Sequence, residues 1–256
     1  ADKVIESGTV KPEDRDKIVP YIDIKLKGNS ILKSQLIVLD ILAHNNWERP
    51  IYYVTGYHND AFGLEEYFQL EGLAYRLVPV KSVNKSWIEY GRIDTDILYE
   101  NMMNKFVWGG ASTPGVNIDY NHKRTIIVVK ARMNYARLAK TLAEEGKNEK
   151  AVAVLDRCME ELPLEKIPYD PYVADLVDAY FAAGSTEKAV NMTMAFRDYY
   201  FERLNYFLKQ KPYIIRSAEY EIQKAIQYTS RVAGSCEKYG KPELAKEIND
   251  KLESFY

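Results

Sequence analysis

Apolar and polar positions change rhythm twice along the chain. Residues 1–20 are polar, interrupted by Pro12 and Pro20, and read as a lead-in lying against the body. Tyr21-Ile22-Asp23-Ile24-Lys25-Leu26 then alternates with period two, which predicts a half-buried strand stopped by Gly28-Asn29. Ser30 is placed to cap a helix from about Ile31 to His44, with Leu32, Leu36, Leu39 and Ala43 at helical spacing. Pro50 to Thr55 is a continuous apolar and aromatic run, the pattern of a strand covered on both faces. A helical turn near Leu64 to Phe68, a strand over Leu73 to Val78 and a helix from Asp94 to Phe106 complete a small α/β layer.

From about Asn121 the period is helical throughout. Tyr135, Leu138, Ala139, Leu142, Gly146, Ala151, Leu155 and Cys158 follow the frame of a tetratricopeptide repeat, two helices with small residues where their axes cross. The frame recurs around Gly184 and, more loosely, around Gly240. These turn glycines lie 38 and then 56 residues apart, where a regular repeat gives about 34. Longer helices, about Thr186 to Lys209 and Tyr213 to Tyr239 with a break at Pro212, absorb the excess. The expected fold class is therefore α+β: an α/β domain over 1–120 with its lead-in, then an all-α tetratricopeptide-like helical domain over 121–256.

Composition narrows function by exclusion. Residues 1–125 hold 15 Lys+Arg against 17 Asp+Glu, and residues 126–256 hold 20 against 20. Neither half has the basic excess that nucleic acid or an anionic membrane demands, so no nucleic-acid partner is expected. No apolar run approaches the ~18–20 residues of a membrane span. The chain begins at Ala1 without Met, which fits an excised or processed fragment. Cys158 and Cys236 have no second Cys or His at ligand spacing, which leaves two buried thiols and no metal or cofactor expected.

Candidate chemistry is thin, and each candidate has a structural reading beside it. Asp94 and Asp96 could act as paired carboxylates, yet Asp94 is placed to cap the following helix and Asp96 to favour its positive end. The loop Gly56 to Gly63, with His58, follows a strand end where ligands sit in α/β layers, and is equally ordinary turn chemistry. Trp47 and Arg49, just ahead of Tyr52, could stack on a sugar or peptide; alternatively Trp47 covers a helix end and Arg49 pairs with a carboxylate. Tyr199, Tyr206, Tyr213 and Tyr220 recur every seven residues, as a contact stripe or as packing between helices. No catalytic residue is assigned. The candidate binding residues are Trp47, Arg49, Tyr52, His58, Tyr75, Arg76, Tyr199 and Tyr206.

Five strings taken together carry a resemblance: Gly8 to Asp14, Trp47 to Tyr52, Tyr67-Phe68-Gln69-Leu70-Glu71-Gly72-Leu73-Ala74-Tyr75-Arg76, Asp94 to Phe106, and the tetratricopeptide-like tail. The chain resembles the soluble C-terminal part of large Bacteroidetes membrane proteins grouped with protein O-mannosyltransferase-like glycosyltransferases. In that family the glycosyl-transfer site lies in many preceding membrane helices, whose residues are not in this chain. The resemblance implies a non-catalytic domain on the periplasmic face of the inner membrane, beside its parent membrane domain, and the helical-repeat architecture adds the expectation that it docks an acceptor polypeptide or partner protein through those repeats. The alternatives are a carbohydrate-active enzyme using Asp94, Asp96 and His58, and a domain that only braces its parent.

Overall fold

In a computed structural model, residues 1–26, 30–54, 61–83, 90–122 and 130–255 are described. The chain divides into two units, Ala1–Asn104 and Lys105–Tyr256. With strands in the first and helices filling the second, the class is α+β.

The first unit is built on four short strands, β1 (Tyr52–Val54), β2 (Phe68–Leu70), β3 (Ala74–Leu77) and β4 (Arg92–Ile93), in the order β1-β3-β2-β4. β3 runs antiparallel to β1 and β2, and β4 parallel to β2. The register aligns Tyr52, Arg76, Gln69 and Arg92 in one row and Tyr53, Tyr75, Leu70 and Ile93 in the next. Successive side chains alternate between faces, so one face is polar and the other apolar. On the apolar face Tyr75 stacks on Tyr90 at 4.6 Å and on Phe68 at 5.7 Å, and Phe68, Leu70, Tyr75 and Leu77 are buried. Gly91 sits at φ +74°, and a Cβ there would meet the Phe68 carbonyl oxygen at 2.6 Å, so glycine is what lets β4 approach β2.

The lead-in does lie against this body. Helix α1 (Asp2–Glu6) and the 3-10 turn Pro12–Lys17 bring Val4 and Val10 onto Val78 and Val80. Two expectations fail beyond it. Residues 21–26 form no strand: the lead-in pairs at Ile18–Val80 and donates from Val19 to the Pro79 carbonyl, and then Pro20 supplies no N–H to continue. Tyr21, Ile24 and Leu26 are exposed. β1 is not covered on both faces either. It is an edge strand that pairs with β3 alone among the described strands, and Tyr52 and Val54 are exposed.

Helix α2 (Lys33–Asn45) starts later than predicted, and Ser30 does not cap it; the Leu32 N–H is met by the Gln35 side chain at 2.9 Å. The 3-10 turn Leu64–Tyr67 and strand β3 fall where expected, while β2 and β4 went unread. Helix α3 (Thr95–Glu100) is capped by Asp94, whose carboxylate accepts from the N–H groups of Asp96 and Ile97, and it runs on as a π-type turn over Asn101–Lys105.

The second unit is helical: α4 (Tyr120–His122), α5 (Met133–Glu144), α6 (Asn148–Glu161), α7 (Pro171–Ala182), α8 (Thr186–Leu208), α9 (Pro212–Ser217), α10 (Glu219–Lys238) and α11 (Pro242–Glu253). Helix α5 packs on α6 and α7, α7 on α8 and α10, and α10 on α8 and α11. The contact faces are the predicted small and apolar positions: Ala139, Ala151, Leu155, Val173, Leu176, Ala189, Val232 and Ala245 are buried. Gly146, Gly184 and Gly240 adopt φ of +75°, +76° and +73°, closing the turns as read from the sequence. Neither Asn148 nor Ser185 caps its helix through its side chain. Both cysteines are buried and free, and burial pushes the Cys158 thiol up to about 12.

Candidate functional site

An open cleft of about 1050 Å³ lies in the first unit, between α2 and the sheet with its lead-in. Leu39 and Leu42 of α2 form one wall, Ile18 and Tyr21 another, and Trp47 and Leu77 also line it. The lining is mainly apolar, the usual character of a binding cleft. α2 makes the cleft unusual, since none of its residues is buried. Leu32, Leu36 and Ile37 are 64%, 59% and 53% exposed, and Ile41 is exposed with them. A helix that is apolar on the cleft side and on the outside is the kind that a partner covers.

Trp47 is where sequence and geometry meet. α2 ends on Asn46 at φ +47°, and Trp47 follows at φ +63°, a left-handed conformation that a bulky side chain rarely adopts. The indole packs against the cluster of Val4, Val10, Val78 and Val80, which holds the strained backbone in place. Trp47 thus packs on the lead-in and on the segment after β3, with no residue of α2 in that cluster, and it also lines the cleft. Arg49 is exposed, with its carbonyl accepting from the Asn45 side chain at 2.8 Å.

Tyr52 and Arg76 are brought together on the polar face through Glu71. The Tyr52 hydroxyl donates to Glu71 at 2.6 Å and Gln69 donates to its other oxygen at 2.8 Å, while an Arg76 nitrogen lies 3.9 Å away. Burial and the Glu71 carboxylate push the Tyr52 phenol up to about 12, so it acts as a donor at neutral pH. Arg76 also donates to Thr9, and Arg92 donates to Asp14 at 2.5 Å. These bonds fasten the lead-in across the sheet, satisfying charges that would be costly to bury alone. Glu71, Asp14 and Arg92 were missed as participants. Glu71 shares the face of Gln69, two residues away, but β2 is too short for a sequence period to reveal that face.

The remaining candidates scatter. Tyr75 is buried within the aromatic stack and cannot meet a ligand at the surface. His58 lies outside the described residues. Tyr199 is half-buried against Tyr169 and Tyr200, and Tyr206 is exposed on α8. Asp94 and Asp96 are bridged by Lys11 at 3.0 and 2.8 Å, so cap and ion pair engage both acids. Among the described residues no helix is long and apolar enough to cross a membrane.

Residues 1–97 match the family model of TMEM260-associated domain 2. Every residue lining the cleft falls inside that match, as do all four strands. No curated protein and no solved structure matches the chain.

Proposed function

We propose that this chain is a non-catalytic, extracytoplasmic domain of a membrane glycosyltransferase-like protein, and that it docks an acceptor polypeptide or partner protein through the cleft beside α2. The observation that carries this reading is the uncovered apolar surface of α2, with the cleft under it. Its position inside the TMEM260-associated match, and the resemblance of the chain to soluble parts of membrane glycosyltransferases, support the parent assignment. The engagement of Asp94 and Asp96 as cap and ion pair favours docking over hydrolysis, for which two carboxyls would face one opening. The helical unit fits a tetratricopeptide-like array, in which the first helix of each pair packs on the first helix of the next, as α5 does on α7 and α7 on α10. Such arrays commonly present polypeptide-binding surfaces.

The test is capture of purified extracytoplasmic polypeptides by the chain, with Ile37→Lys/Leu42→Lys alongside. Capture that the double variant loses, while Asp96→Asn keeps it, is the expected result. Capture equal in all three proteins would overturn the assignment to α2.

A further inference from the structure

The even division of charge between the two halves conceals a local concentration at the end of α8. Between Glu202 on α8 and Glu219 at the start of α10 the chain carries four cations, Arg203, Lys209, Lys211 and Arg216, and no acid. Arg203 is occupied, lying over the rings of Tyr199 and Phe207 at 5.6 and 5.7 Å and within 3.9 Å of Glu221. Lys209, Lys211 and Arg216 are exposed, and among the described residues no carboxylate lies within ion-pair distance of them. Aromatic and apolar side chains interleave with these cations. Tyr206 is 63% exposed and Tyr213 61%, and Ile214 and Ile215, next to Tyr213 in the chain, are half-buried.

The place of this segment in the fold matters as much as its composition. α8 has 23 residues and α10 has 20, whereas α5, α6, α7 and α11 have 12 to 14. Tyr199 of α8 packs on Tyr169, ahead of α7, at 4.8 Å, and Tyr200 of α8 meets Tyr228 of α10 at 5.8 Å, joining the long pair to each other. Past Tyr200, α8 continues to Leu208, about two turns or ~12 Å. α9 closes the end, packs on α8 and α10, and buries none of its six residues. The bend is the end of a helix pair and not a groove, a form suited to a flat surface better than to an extended peptide.

We propose that this α8–α9–α10 bend docks on an anionic lipid headgroup layer. Cations lacking a counter-acid complement its charge, each strengthening attachment roughly fivefold near such a surface. Phenol rings with an apolar body and a wet hydroxyl suit the boundary between headgroups and acyl chains, and Ile214 and Ile215 add apolar area on the same short helix as Tyr213. This surface shares no residue with the cleft, so the two readings fail separately.

The experiment is sedimentation of the chain with vesicles of phosphatidylcholine containing phosphatidylglycerol, and with phosphatidylcholine alone. Binding to the anionic vesicles only is expected, lost at about 1 M salt where screening shortens to about 3 Å. Lys209→Gln/Lys211→Gln is expected to weaken it about 30-fold, from roughly fivefold per cation. Tyr206→Ser/Tyr213→Ser should weaken it as well, with the helical circular dichroism unchanged in both variants. Failure to bind anionic vesicles at low salt, or binding that neither variant alters, would overturn the proposal. Binding to polyglutamate without binding to vesicles would also overturn it and assign the bend to acidic polypeptides.

Discussion

Arg132 is fully buried in the helical unit, and its guanidinium gathers a whole loop. It donates to the carbonyls of Leu162 at 3.1 Å, Ile167 at 2.6 Å and Pro168 at 3.0 Å, and it pairs with Asp170. Asp170 in turn caps α7 through the Tyr172 N–H at 2.7 Å. Burial pushes the Asp170 carboxyl up, and the guanidinium opposes this. Arg132→Ala would leave that acid and three carbonyls without their donor. A loss of about 3–5 kcal/mol is expected in chemical denaturation, as for other broken buried pairs. Asp14 makes the corresponding prediction for pH. Hydrogen bonds from Lys17 and then Arg92 hold its carboxyl below the ordinary value. Folding thus favours the ionised form. That stability is present above the unfolded pKa of about 4 and is lost as pH falls through the lower folded value. Amide protection factors over residues 1–20, which take out the intrinsic slowing of exchange in acid, should therefore fall below about pH 4, and Asp14→Asn should show the lower protection already at neutral pH. At this scale the sequence was uneven as a guide. The Asp94 cap could be read because capping is local, whereas Tyr75 and Arg132 take their environments from residues distant in the chain.

Among the elements, α2 is the one whose sequence and surroundings disagree most. Its apolar spacing predicts a core face, yet Leu36 and Ile37 stand in solvent. Leu36→Lys/Ile37→Lys is accordingly expected to change the melting stability by no more than about 0.5 kcal/mol per site, the range of surface positions. The same pair should reduce any self-association seen by light scattering. Leu155→Ala on α6, where the side chain is fully buried, should cost about 2–5 kcal/mol. A large loss from the α2 pair would mean that its outer face is part of the core. The helical hairpins were legible because glycine turns and small crossing residues are encoded locally. The sheet was read less well, since β2 and β4 are three and two residues long, too short to show a period, and because pairing depends on chain segments far apart. The 21–26 alternation was misleading for the same reason. Period two states which residues could share a face, not whether a partner strand exists.

For the molecule as a whole, docking depends on a surface of the first unit in which none of the residues of α2 is buried. The cleft could not be read from periodicity, because it is a space left between α2, the lead-in and the sheet. Trp47 was singled out from its string alone, and it does line that space. A docking role for the cleft is decided by photo-crosslinking from Leu42 in its wall, with Glu253 on α11 as an exposed control. It is carried out in the parent protein under native expression. Crosslinks from Leu42 to an extracytoplasmic polypeptide, absent from Glu253, are the expected result. Crosslinks from Leu42 to the parent's own membrane region alone, or to nothing, would contradict a docking role for the cleft.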